Sequence, residues 1–196
     1  MIDKRIIPLA IGGLGIGTTE FTIMGLLPDM AQSLQVSIPQ TGHLISAYAL
    51  GVVIGAPLLI GYAVKFPPKK VLIALMLIFT LFNGLSALMP GYWSMLFVRF
   101  LSGLPHGAFF GVGTVVASRL GGQGREARYI ALMFTGLTVA NLAMVPLVTY
   151  IGHTYHWRWY FAIVALIGLL AILFLYLWLP AMQHKEDAHF RDELKF

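Results

Sequence analysis

Glu20, Arg99 and His106 are the residues of this 196-residue chain whose types and settings point most directly to chemistry, because each sits inside a long apolar run. An ionisable side chain at the centre of a bilayer costs roughly 2.5 to 3.5 kcal/mol on insertion scales, so it is expected to face a partner or a wet cavity. A carboxyl beside a guanidinium feels opposing influences: burial disfavours the anion and the cation favours it. A group poised between them takes up a proton from one side and releases it to the other. His106 follows Arg99 by seven residues, about two turns along one face, and extends such a proton route. The competing readings are a fixed Glu20–Arg99 ion pair without turnover, and a packing histidine.

The elements that hold these groups follow from composition. The chain is 58% hydrophobic and 11% charged, against about 25% charged in soluble domains, which excludes an ordinary soluble enzyme and a disordered protein. The net charge of +5 does not mark nucleic-acid binding, because the basic residues fall in short clusters between apolar runs. No cysteine is present, so there is no thiol nucleophile or thiolate metal site. A bilayer core of about 30 Å takes roughly 20 helical residues. Six runs are long enough: Ile6 to Leu27, Gly42 to Val64, Lys70 to Leu88, Trp93 to Arg119, Tyr129 to Ile151 and Trp159 to Leu179. The gaps carry capping or turn chemistry, as in Ser37-Ile38-Pro39-Gln40, Phe66-Pro67-Pro68, Pro90-Gly91 and Gly121-Gly122-Gln123-Gly124. The first run continues past Glu20 without a small-residue cleavage site, which predicts a retained helix rather than a signal peptide.

The expected fold is therefore all-α and polytopic, with residues 1–180 forming a six-helix transmembrane bundle and residues 181–196 a charged tail. Eleven of the thirteen lysines and arginines fall at one end of the bundle, among them Lys4, Arg5, Lys65, Lys69, Lys70, Arg125, Lys185, Arg191 and Lys195. The positive-inside rule then places both termini in the cytoplasm, in a plasma (inner) membrane. At 1.5 Å per residue, Glu20 lies about 21 Å along the first span and Arg99 about 9 Å along the oppositely directed fourth. In a core of about 30 Å these are the same depth, so the two groups are expected to face each other or share a wet pocket.

The six spans differ in kind. The first and fourth carry most of the glycine and the two intramembrane charges; the second and fifth each hold a late proline, Pro57 and Pro146; the third and sixth are bulky and read as outer supports. This predicts a 3+3 inverted repeat of the kind that places a transporter's binding site near the midplane. Gly51, Gly55, Gly103 and Gly107 have the four-residue spacing that lets helix backbones approach closely. Asn141, Asn83 and Thr22, with Thr18 and Thr19, are mid-span polar groups expected to line a cavity, although threonine also bonds its own helix. His43, His153 and His156 read as interface residues; two histidines three apart in a loop do not make a metal site.

The run Leu96-Phe97-Val98-Arg99-Phe100-Leu101-Ser102-Gly103-Leu104-Pro105-His106-Gly107-Ala108 resembles the fourth-helix signature of the major facilitator superfamily. Together with Thr18-Thr19-Glu20-Phe21, Gly25-Leu26-Leu27-Pro28, Ala47-Tyr48-Ala49-Leu50-Gly51 and Gly136-Leu137-Thr138-Val139-Ala140-Asn141, it resembles the arabinose-efflux permease branch of the drug:proton antiporters, over about residues 6 to 180. The resemblance implies the amino-terminal half of a proton-coupled exporter of small molecules that uses a proton gradient and no cofactor. It gives Arg99 the coupling role, Glu20 the protonatable acid, Pro146 a helix-hinge role, and Gly61, Lys69 and Lys70 the cytoplasmic gate loop. It also implies a partner, either a second six-helix half in cis or in trans, or a homodimer. Lys65 stands where that loop usually has an aspartate, and Val145, Thr149 and Tyr150 stand where the fifth-helix antiporter motif favours glycine.

Two other readings compete. A six-span membrane protease would need an activated serine, and Ser102 with His106 lacks the glycine setting of that chemistry, so no enzyme is expected. A truncated bundle with a scaffold or partner-binding role and no transport of its own is the other. The orientation is checked directly, since the chain has no native cysteine. Gln123→Cys is expected to react with a membrane-impermeant maleimide only in inverted vesicles and Gln35→Cys only in intact cells; the reverse pattern overturns the assignment.

Overall fold

Proline and glycine set most of the helix limits. The computed structural model describes residues 3–182, so Lys185, Arg191, Lys195 and the rest of the tail beyond Met182 lie outside the described residues. The helices are α1 (Ile7–Gly25), α2 (Leu27–Leu34), α3 (Ile38–Ala63), α4 (Pro68–Ser86), α5 (Tyr92–Gly121), α6 (Glu126–Val139), a π-helical turn (Ala140–Met144), α7 (Val145–Thr154) and α8 (Arg158–Trp178). Six stretches are long and apolar enough to cross a bilayer, with α6, the π turn and α7 forming one continuous rod. The expected capping box is present: Ser37 N–H donates to Gln40 Oε1 at 3.0 Å and Gln40 N–H to Ser37 Oγ at 3.3 Å. The α5–α6 loop turns on Gly122 and Gly124, at φ 66° and 78°, where a side chain would be strained.

Two local features depart from the sequence reading. The connection after the first span is itself a two-turn helix, α2, begun by Pro28, anchored by fully buried Met30 and closed by Gln35 in the left-handed region at φ 53°. The fifth span is interrupted by the π turn. Pro146 has no N–H to continue the ladder, and just before it the Val145 N–H reaches the Ala140 carbonyl five residues back.

Packing follows the 3+3 repeat. Exchanging spans one, two and three for four, five and six maps the α3–α5 seam onto α1–α6, the α4–α5 seam onto α1–α8, and α4–α8 onto itself, and these are the principal helix pairs. Glycine makes the first two seams possible. A Cβ on Gly51 would stand 2.1 Å from the Phe100 carbonyl oxygen, one on Gly103 2.2 Å from that of Tyr48, and one on Gly136 1.8 Å from that of Ala10. Gly55 and Gly107 continue the α3–α5 seam against Leu104 and Ala56. Backbone meets backbone there, which is how helices associate where lipid offers no hydrophobic drive.

The α4–α8 pair is fastened at both ends. Lys69, at the start of α4, donates from Nζ to the Tyr176 and Leu179 carbonyls at 2.8 and 2.5 Å, capping the end of α8. Arg158, at the start of α8, donates from Nη1 to the Ala87 carbonyl at 2.9 Å, just past the end of α4. The two caps are equivalents under the repeat and lie at opposite ends of the bundle. A smaller clasp at the amino terminus has Arg5 holding Asp3 at 2.6 Å, which draws that carboxyl down to about 2, while Tyr129 of α6 donates to it at 3.3 Å. Hydrogen bonds to a charged donor contribute about 1.5 to 3 kcal/mol. Lys69→Met and Arg158→Met are therefore each expected to lower the unfolding midpoint in detergent, while Arg128→Met, on an exposed site, leaves it unchanged; equal midpoints for all three would remove the fastening role.

Candidate functional site: the buried Arg99 cluster

Thr19 is the hub of the polar cluster inside the bundle. Its hydroxyl donates to Asn83 Oδ1 at 2.6 Å and accepts from Arg99 Nη1 at 3.1 Å. Tyr160 of α8 donates to the Thr19 carbonyl, with its oxygen 3.3 Å from the Thr19 hydroxyl. Asn83 is oriented from behind, its amide donating to the Phe79 carbonyl at 2.8 Å. Thr19, Asn83, Arg99 and Tyr160 are all fully buried, so α1, α4, α5 and α8 are joined through the hydroxyl and carbonyl of one threonine.

The guanidinium is held by rings as well as by that hydrogen bond. Its central carbon lies 4.4 Å from the Tyr48 ring centroid and 5.7 Å from that of Phe161. A desolvated cation–π contact is worth about 2 kcal/mol, which with one charged hydrogen bond is of the same order as the insertion cost of the arginine. No carboxylate pairs with Arg99 within 4 Å among the described residues. Its Nε and Nη2 have no hydrogen-bond partner there. The charge is buried, stabilised and left with two open donors.

Glu20 follows Thr19 in α1 and so points about 100° away around the helix. It is partly buried, whereas Thr19 is fully enclosed. It lies close enough for its charge to interact with Arg99 and with Tyr48, without a direct ion pair. Glu20 is five residues from the end of α1 and Arg99 seven from the start of α5, or about 8 and 10 Å from the same end of the bundle. The two charges share a level without forming an ion pair.

Tyr48 carries the cluster one step further. Its hydroxyl lies 3.0 Å from His106 Nδ1, and the His106 ring also meets Phe110, centroid to centroid at 5.4 Å. Arg99, Tyr48 and His106 thus form a continuous chain from the level of Glu20 toward the middle of the bundle.

The remaining expected positions are scattered. Thr22 is fully buried, and its hydroxyl has no partner among the described residues. Asn141 is exposed on the π turn, its amide donating to the Leu137 carbonyl of its own helix at 3.0 Å. Gly61 is exposed, with open space around it; Lys69 is engaged with α8 and Lys70 is exposed. His43 meets the Tyr92 hydroxyl at 3.1 Å, His153 pairs with Asp29 at 2.8 Å, and His156 accepts from the Arg158 N–H; they lie at helix ends on the side of the bundle nearer Arg99, and none of these contacts includes Arg99. Sequence reasoning missed Thr19 as the hub, Tyr48, Tyr160 and Phe161. The third and sixth spans are not plain supports, since they supply Asn83, Tyr160 and Phe161. Tyr160 and Phe161 sit in an aromatic run whose composition signals only an interface, and the Tyr48 signal was its place three residues before Gly51 on the close-packed seam.

The fold is a six-helix membrane bundle organised as a 3+3 repeat around a buried arginine. The family model described as Major Facilitator Superfamily matches residues 9–195, and the chain belongs to that family. It is 46% identical over 194 residues to the inner membrane transport protein YdhP of Escherichia coli K12, covering 99% of this chain and 49% of the relative. It is 37% identical over 195 residues to the putative transporter AraJ of the same organism, covering 100% of this chain and 50% of the relative. The chain thus spans about half the length of the curated relatives it matches. Among solved structures, the proton:xylose symporter XylE superposes with a TM-score of 0.80 at 16% identity, over 91% of this chain and 44% of that one, a likeness of fold alone.

Replacing Thr19 tests the hub. Thr19→Val keeps the shape and removes the hydroxyl, leaving Arg99 Nη1 without an acceptor, which is expected to cost about 1 to 3 kcal/mol. Thr18→Val removes only a bond from Thr18 Oγ1 to the Leu14 carbonyl within the helix and is expected to be nearly neutral. Equal unfolding midpoints for the two variants would deny Thr19 its role.

Proposed function

We propose that this chain is the amino-terminal half of a secondary active transporter that exports a small molecule, in exchange for protons, by alternating access across an inner membrane with both termini in the cytoplasm. The observation that carries this reading is the buried Arg99, without an ion-pair partner among the described residues, at the level of the partly buried Glu20. A permanently charged guanidinium with two open donors responds to the charge on a nearby carboxyl. When Glu20 is ionised it is drawn toward Arg99; when it is protonated that attraction is lost. Two arrangements separated by one proton are what coupling requires. His106, reached through Tyr48, gives the proton a second station, and Asn141 presents an amide oxygen to a substrate from the π turn.

Family membership and the transporter names of its relatives support transport; the efflux-branch motifs support export. The second half is expected on the faces of α3 and of the α6–α7 rod. These are the least buried spans, and they expose Leu50, Val53, Leu142 and Leu147. They are also equivalents in the repeat, so a second bundle meets both at once.

Coupling is tested in a twelve-helix protein that contains this half. Glu20→Gln is expected to abolish export driven by a pH gradient while leaving substrate exchange at equal pH measurable. A Gln variant that still concentrates substrate outward against its gradient removes Glu20 as the proton carrier.

A further inference from the structure

Between the end of α3 and the first half of α4 runs a groove of about 330 Å³ that the transport reading does not use. Its walls are apolar, with Leu59, Ala63 and Phe66 on one side and Val71, Ala74 and Ile78 on the other. No residue of α1, α5, α6 or α8 lines it, so it opens on the outside of the bundle, away from Arg99. From Lys70 to Ile78 it follows eight residues of α4, or about 12 Å. One leaflet of a core about 30 Å thick is about 15 Å deep. The groove therefore starts at headgroup level and runs through most of one leaflet.

Two ammonium groups stand at its mouth. Lys70 is part of the lining, and Lys65 Nζ lies 5.2 Å over the ring of Tyr62, another lining residue. Neither has a carboxylate partner among the described residues, whereas Lys69 between them is turned away onto α8. An apolar slot with paired positive charge at one end matches a molecule with a hydrocarbon chain and a phosphate. A zwitterionic headgroup leaves the two ammonium groups without a net counter-charge, and a neutral protein helix does the same.

We propose that the groove binds one anionic phospholipid of the leaflet on the side of the termini, with an acyl chain along α4 and the phosphate between Lys65 and Lys70. The purified, delipidated chain is titrated with phosphatidylglycerol and phosphatidylcholine of matched chains, and bound lipid is counted by native mass spectrometry. Phosphatidylglycerol is expected to bind roughly tenfold more tightly than phosphatidylcholine. Lys65→Gln combined with Lys70→Gln is expected to erase that preference, Lys65→Arg with Lys70→Arg to keep it, and Ala74→Trp, which fills the slot, to lower retention of both lipids. Glycerophosphate, a headgroup without chains, is expected not to compete. Equal affinity for the two lipids, a preference that survives the double Gln change, or binding undiminished by Ala74→Trp overturns the proposal.

Discussion

A guanidinium enclosed by protein at membrane depth is the constraint around which this bundle is organised. Arg99 cannot be solvated, so it must be stabilised from several directions by groups that hold still. Thr19 supplies an oxygen, Tyr48 and Phe161 supply ring faces, and Asn83 with Tyr160 fixes the threonine. Those residues come from α1, α3, α4, α5 and α8, and the charge therefore specifies the register of five helices at once. The glycine seams serve the same end. By letting the α3 and α5 backbones touch, they bring the Tyr48 ring against a charge on the facing helix.

Much of the architecture was legible in the sequence because lipid leaves the chain few choices. Uninterrupted apolar runs must become helices, and the six spans, the Ser37 capping box and the repeat follow from hydropathy, residue type and glycine spacing. Two elements were not legible. Segment 27–34 mixes polar and apolar residues and becomes helical through its proline start and the burial of Met30, a tertiary effect. The π turn depends on how the rod accommodates Pro146, which a count of apolar residues does not register.

For the site, the sequence marked the costly residues and not their partners. Glu20 and Arg99 stand out because charge in lipid is rare; Thr19, Tyr48 and Tyr160 are ordinary intramembrane residues until the fold brings them to the charge. A depth count put the two charges at one level but carried no azimuth, and one step of about 100° between Thr19 and Glu20 decides which of them touches the guanidinium. Lys69 shows the same limit from the other direction. In a basic loop it reads as part of a gate, and in the fold it caps a helix that lies 107 residues further along the chain.

That separation bears on how the half is made. The caps on α4 and α8 join residues 107 and 71 positions apart, so neither strap closes until the sixth span has emerged from the ribosome and entered lipid. Until then, the carbonyls at the end of α4 wait for a donor that has yet to be synthesised. The sixth span thus supplies one partner to each strap, and a chain ending before Trp157 has neither.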